Sequence, residues 1–222
     1  MSSKLFKAAS ITKKVTMALA GVFLILFLLV HLGINLTLLR NDDGAWFSAA
    51  SNFMSTNYIV KVFEIILIAA FLIHILIGIM LTIQNWLARP KRYYRRNKSK
   101  TSFMSKYMFY TGGIVLIFLF LHFMSFYFVK LGIVTPPEGI DRHDFYTMAI
   151  LLFSNKLYSI LYIVALIVLA IHLNHSFHSA FQTFGFNHNK YYTLIKGIGT
   201  AYAVIVVAGF IIIPVYFMFF YQ

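Results

Sequence analysis

Residues 59–87 read IVKVFEIILIAAFLIHILIGIMLTIQNWL. Lys61, Glu64 and His74 are the ionisable side chains in this stretch, and no polar face repeats at helical spacing. A soluble amphipathic helix needs such a face, whereas a helix surrounded by lipid does not. About 20 apolar residues at 1.5 Å of rise are enough to cross the hydrocarbon core of a bilayer. The stretch therefore reads as a transmembrane helix, and a histidine stands near its middle.

Four further runs have the same character. The predicted spans are Val15–Leu39, Ile59–Leu87, Tyr107–Val129, Leu157–Phe184 and Gly197–Tyr221. The first is preceded by lysines, as a signal peptide would be. It is too long for a signal's apolar core and lacks a clear small-residue cleavage site, so it reads as a helix. Composition agrees: 60% of the 222 residues are hydrophobic and 11% charged, too little polar surface to cover a soluble core. The expected fold class is an all-α integral membrane protein forming a single transmembrane domain over residues 1–222. Its first four helices are expected to bundle.

The net charge of +13 would suit nucleic acid on its own, but no nucleic-acid motif accompanies it. The bases instead alternate with the apolar runs. Lys4, Lys7, Lys13 and Lys14 precede the first span. Arg89, Lys91, Arg92, Arg95, Arg96, Lys98, Lys100 and Lys106 fill the second loop, and Lys190 and Lys196 lie around the fourth. Asp42, Asp43, Glu138, Asp141 and Asp144 mark the first and third loops. Basic segments stay on the cytoplasmic side, which predicts a cytoplasmic N-terminus and an outer C-terminus. The pattern fits the inner membrane of a bacterial cell. The Lys91–Lys100 run reads equally as a topology signal beside anionic lipid and as a docking surface for a cytoplasmic partner.

The chain has no cysteine. That excludes a disulfide, a thiolate-ligated iron–sulfur cluster and a c-type haem attachment. No Gly-rich phosphate loop or Ser/His/Asp constellation in a soluble domain is present. The chemistry-bearing residues are histidines: His31, His74, His122 and His172, one well inside each of the first four spans. Ionisable groups at membrane depth are costly and usually mark function. A lone membrane histidine is often only a hydrogen-bonding residue, but that reading weakens when four helices each carry one.

Depth sorts the four. Helices one and three run outward, with His31 and His122 past their midpoints. Helices two and four run inward, with His74 and His172 at or beyond theirs. The expectation is an outer pair, His31 with His122, and an inner pair, His74 with His172, roughly 10 Å or more apart along the bundle. Two imidazoles without a carboxylate or thiolate fit poorly with tetrahedral zinc. They suit haem b, which needs two axial ligands and an apolar slot. Gly33, Gly78, Gly112 and Gly113 stand near the histidines in sequence and either admit a flat ring or mark close helix packing. His175 competes with His172 as the fourth ligand, and His178 is a candidate partner for a haem propionate. His143 and His188 fall in loops and read as surface residues.

This pattern resembles the diheme cytochrome b membrane-anchor subunit of succinate dehydrogenase and fumarate reductase. The resemblance spans essentially the whole chain. Its most specific stretch is His172-Leu-Asn-His-Ser176-Phe177-His-Ser179-Ala-Phe-Gln-Thr-Phe-Gly185, similar to the family's fourth-helix pattern. It implies two haems b, the inner on His74 and His172 and the outer on His31 and His122, with the four histidines as axial iron ligands. It implies a flavoprotein and an iron–sulfur subunit on the cytoplasmic face, and a membrane quinone, expected to be menaquinone. This subunit would anchor the complex and pass electrons, leaving dicarboxylate chemistry to the flavoprotein. One departure concerns proton movement: some members carry a glutamate two residues before the fourth ligand, where this chain has Ala170.

Glu64 is the acidic residue inside a predicted span, with Lys61 one turn earlier. It reads either as half of a snorkelling ion pair at the interface or as the group that exchanges quinone protons on the outer side. Two rival functions share parts of the pattern: the cytochrome b anchor of a hydrogenase or formate dehydrogenase, and a haem-free transporter using membrane histidines.

Overall fold

The computed structural model describes residues 2–87, 103–186 and 188–221. The Lys91–Lys100 run, whose two readings are a topology signal and a docking surface, lies outside the described residues. Helix α1 covers Ser2–Leu36 and tightens into a 3₁₀ turn at Thr37–Leu39. Then follow α2 (Ala45–Thr56), α3 (Tyr58–Leu87) and α4 (Phe103–His122). Helix α4 continues through a π turn, Phe123–Tyr127, into α5 (Phe128–Lys130). Helices α6 (Phe145–Ser154), α7 (Lys156–Thr183) and α8 (Asn189–Phe219) complete the chain. Five helical segments are long and apolar enough to cross a membrane.

Side-chain caps fix several helix starts. Asn57 Oδ1 accepts from the backbone N–H of Ile59 and Val60 at the head of α3. Asp144 and Asn155 accept from Thr147 and Tyr158 at the heads of α6 and α7. Each satisfies an N–H that the helix cannot pair internally. Helix α8 starts at Asn189, a full two turns before the apolar run from Gly197. Hydropathy marks where lipid begins, and a helix readily continues past that point into the interface.

The acid-rich loops are more structured than their sequence announces. Helices α2 and α6 lie in them and meet through Phe47 and Tyr146, whose ring centroids are 6.4 Å apart. Gly44, at the head of α2, holds φ at 75°, and a Cβ there would lie 2.5 Å from the Tyr146 ring. Only glycine meets both demands. Partial burial, a hydrogen bond to Tyr221 and the nearby Asp43 and Asp42 push the Tyr146 phenol up to about 12. The phenol stays neutral at ordinary pH. The first loop, the third loop and the C-terminal residues therefore meet at one end of the bundle.

Packing is uneven around the bundle. Leu166, Leu169 and Leu173 of α7 join Val206, Val207 and Phe210 of α8 and Ile25 and Leu32 of α1 in the main core. Helix α8 approaches closely because it presents glycine: a Cβ on Gly199 would stand 2.8 Å from Phe177, and one on Gly209 3.0 Å from Leu32. The Tyr202 hydroxyl donates to the Ile25 carbonyl at 2.6 Å and ties α8 to α1. Helix α3, by contrast, buries only Ala70. The fifth span acts as a buttress, and the space between the other four is left largely open.

Two expectations follow. Gly199→Val drives a side chain into Phe177 and is expected to cost about 1–3 kcal/mol, read as a lower thermal midpoint in detergent. Gly197→Val, with nothing within 4 Å of its Cβ, should leave the midpoint unchanged. Because the chain has no cysteine, topology can be read from single-cysteine variants. Glu138→Cys should react with a membrane-impermeant maleimide from outside, and Lys98→Cys only after permeabilisation.

Candidate functional site: two histidine pairs along one cavity

A cavity of about 2060 Å³ runs between the spans and is lined by His31, His74, His122, His172 and His175. Pockets for a single small ligand are typically about 300–1,000 Å³, so this one has room for more than one large group. The histidines meet in two pairs. His31 of α1 and His122 at the end of α4 have ring centroids 5.8 Å apart and planes at 82°. His74 of α3 and His172 of α7 stand 6.3 Å apart with planes at 73°.

Two glycines give the spacing between the pairs. Gly21, ten residues before His31 on α1, borders the His74 ring at 3.8 Å from its would-be Cβ. Gly112, ten residues before His122 on α4, borders the His172 ring at 3.4 Å. Ten residues of helix span about 15 Å, and both helices give the same separation. Gly112 thus borders the His74–His172 pair and not the His122 of its own helix. Gly33 and Gly113 have no atom within 4 Å of a built Cβ, and Gly78 touches Met17. Gly21, which borders His74 from another helix, is the glycine that proximity in sequence does not point to.

The surroundings orient the rings. Thr111 gives its hydroxyl hydrogen to the Met108 carbonyl at 3.0 Å. That leaves its oxygen to accept from His172 Nδ1 at 3.4 Å, so Nε2 is the nitrogen free for a ligand. The Tyr162 hydroxyl stands 3.5 Å from His122 Nδ1 and fixes the orientation of that ring. Such outer partners set which imidazole nitrogen faces a metal. Asn35 anchors the turn at His31 by donating to its carbonyl at 2.8 Å. Phe27 stacks on the His31 ring at 5.2 Å and Phe118 on His122 at 6.0 Å. The Nδ1 of His74 is buried without an ordinary hydrogen bond.

This donor set is specific in what it can hold. A metal ion bound to one nitrogen of each ring at roughly 2 Å would place two imidazole centroids about 6 Å apart. Both pairs match that spacing. Among the described residues no group of three or more His, Cys, Asp or Glu could hold a metal. The remaining coordination positions would have to come from a ligand that brings its own donors. The π turn that opens directly after His122 is a feature often found at functional sites.

The other histidines separate cleanly. His175 lines the cavity, one turn beyond His172. His178 lies against Tyr192, ring centroids 4.7 Å apart, with its Nε2 buried and unpartnered. His143 and His188 are exposed.

Glu64 lines the same cavity near the end where the acid-rich loops meet. Its ion-pair partner is Lys130, at 2.8 Å, and not Lys61, which is exposed on the same helix. The partner comes from 66 residues away, so local spacing carried no signal for it. Tyr127 also faces Glu64, and Lys130 Nζ lies 5.8 Å over the Tyr127 ring.

No protein-family model matches the chain, and comparison with curated proteins and with solved structures likewise gives no match.

Proposed function

We propose that this chain is a diheme cytochrome b, the membrane anchor of a succinate dehydrogenase or fumarate reductase complex, passing electrons between an iron–sulfur subunit and a membrane quinone. The observation that carries the reading is the two histidine pairs, each at metal-bridging distance, about 15 Å apart along one cavity. A porphyrin supplies four of an iron's six ligands, so it asks the protein for two imidazoles and an apolar slot. His31 with His122, and His74 with His172, would be the axial ligands. The chemistry supplied by bound haem is one-electron transfer at each iron.

The chain's own residues do the rest. Thr111 and Tyr162 hold ring orientation, Phe27 and Phe118 exclude water, and Gly21 and Gly112 keep the slot beside the inner rings open. The Glu64–Lys130–Tyr127 group offers hydrogen-bond donors and an acceptor at one end of the cavity. That suits a neutral ring bearing oxygens, the chemistry of a quinone such as menaquinone. The proposed setting is the bacterial cytoplasmic membrane, with the flavoprotein and iron–sulfur partners on the basic side. In this reading the dicarboxylate chemistry belongs to the flavoprotein.

A dithionite-reduced minus oxidised spectrum of the purified protein should show b-type haem, at roughly two per chain. His122→Ala should remove one haem while the other persists, and His74→Ala the converse. A folded, colourless preparation from haem-replete cells would overturn the reading and favour a transporter. Gly112→Val should shift the band or potential of the His74–His172 haem and spare the other. Equal disturbance of both would argue against the two-level arrangement.

A further inference from the structure

The Glu64–Lys130 ion pair stands at the wall of the cavity and has hydrogen-bonding capacity left over. Lys130 Nζ carries three donors and spends one on Glu64 Oε2 at 2.8 Å. Both side chains remain about a fifth to a quarter exposed, 21% and 24%, and both line the cavity together with Tyr127. The charged and titratable groups on the elements around Glu64 are few. Lys130 and Tyr127 come from the continuation of α4, Tyr58, Lys61 and His74 from α3 itself, His31 from α1 and His122 from α4, while α2 contributes none. The pair is thus a neutral unit of one strong donor and one strong acceptor on the same patch of wall.

Quinone and quinol differ in what they ask of such a patch. A quinone oxygen is a carbonyl and only accepts, so it needs a donor. A quinol oxygen carries a hydrogen and is best met by a carboxylate. We propose that Lys130 is a substrate-binding residue of this site, selective for the oxidised ring: its free N–H groups bind the quinone carbonyl, while Glu64 beside it accepts from the quinol hydroxyl. One patch then holds both redox states of the same ligand without rearrangement. This inference rests on the reading of the chain as a quinone-reacting cytochrome.

The test uses the purified holoprotein in detergent, with a short-chain naphthoquinone and its quinol titrated separately as ligands. Lys130→Met should weaken naphthoquinone binding at least about tenfold, the cost of losing a charge-assisted bond, and change quinol binding far less. Lys130→Arg, which keeps donors and charge, should bind both. Haem content and thermal midpoint are followed in each variant, so that a merely structural ion pair would appear as lower stability with unchanged affinity. That outcome, or equal weakening of both redox forms, overturns the proposal while leaving the cytochrome reading intact. A haem-loaded wild type that binds neither form removes the quinone reading and this inference together. Should Lys130→Met not fold, Lys130→Gln retains a polar partner for Glu64, and the same selective loss is expected of it.

Discussion

A histidine ring inside a bilayer has no water to meet its two nitrogens, and this constraint organises the rest of the structure. Each of four helices brings one such ring to the interior, and the rings meet in pairs. One nitrogen of His172 is taken by Thr111 and one of His122 by Tyr162. The nitrogen left over on each ring needs a partner of its own. The cavity between the pairs is where that partner would sit, and most of its wall is aromatic and aliphatic.

The distribution of packing follows from the same need. A fully packed four-helix interior would leave no cavity, so the stability has to come from elsewhere. Helix α8 provides it, pressing glycine faces onto Phe177 and Leu32 and sharing the largest apolar core with α7 and α1. At one end α2, α6 and the C-terminal residues close over the bundle. At that same end the Glu64–Lys130 pair joins α3 to the continuation of α4, two elements that otherwise touch little. Buttress, cap and ion pair together keep four helices apart at a fixed spacing.

The sequence made the spans legible because bilayer thickness sets a minimum apolar length, and the depth of each histidine is a simple count along a helix of known rise. Those counts predict which rings share a level, and the rings at each level do meet. Features that depend on contacts between distant segments were not legible. Gly21 borders His74 from another helix, and Lys130 reaches Glu64 across 66 residues, whereas Lys61 was the visible neighbour. Helix α6 is apolar but too short to cross, and α2 is a surface helix. A search tuned to bilayer length passes over both.

Electron paramagnetic resonance of the oxidised protein bears most closely on the proposal that each histidine pair holds one iron between two imidazoles. The ring planes lie at 82° and 73°, and near-perpendicular axial imidazoles give strongly anisotropic low-spin ferric signals. Two such signals are expected, one lost with His31 or His122 and the other with His74 or His172. A high-spin ferric signal from the native protein, or one signal lost on mutating either pair, would contradict it.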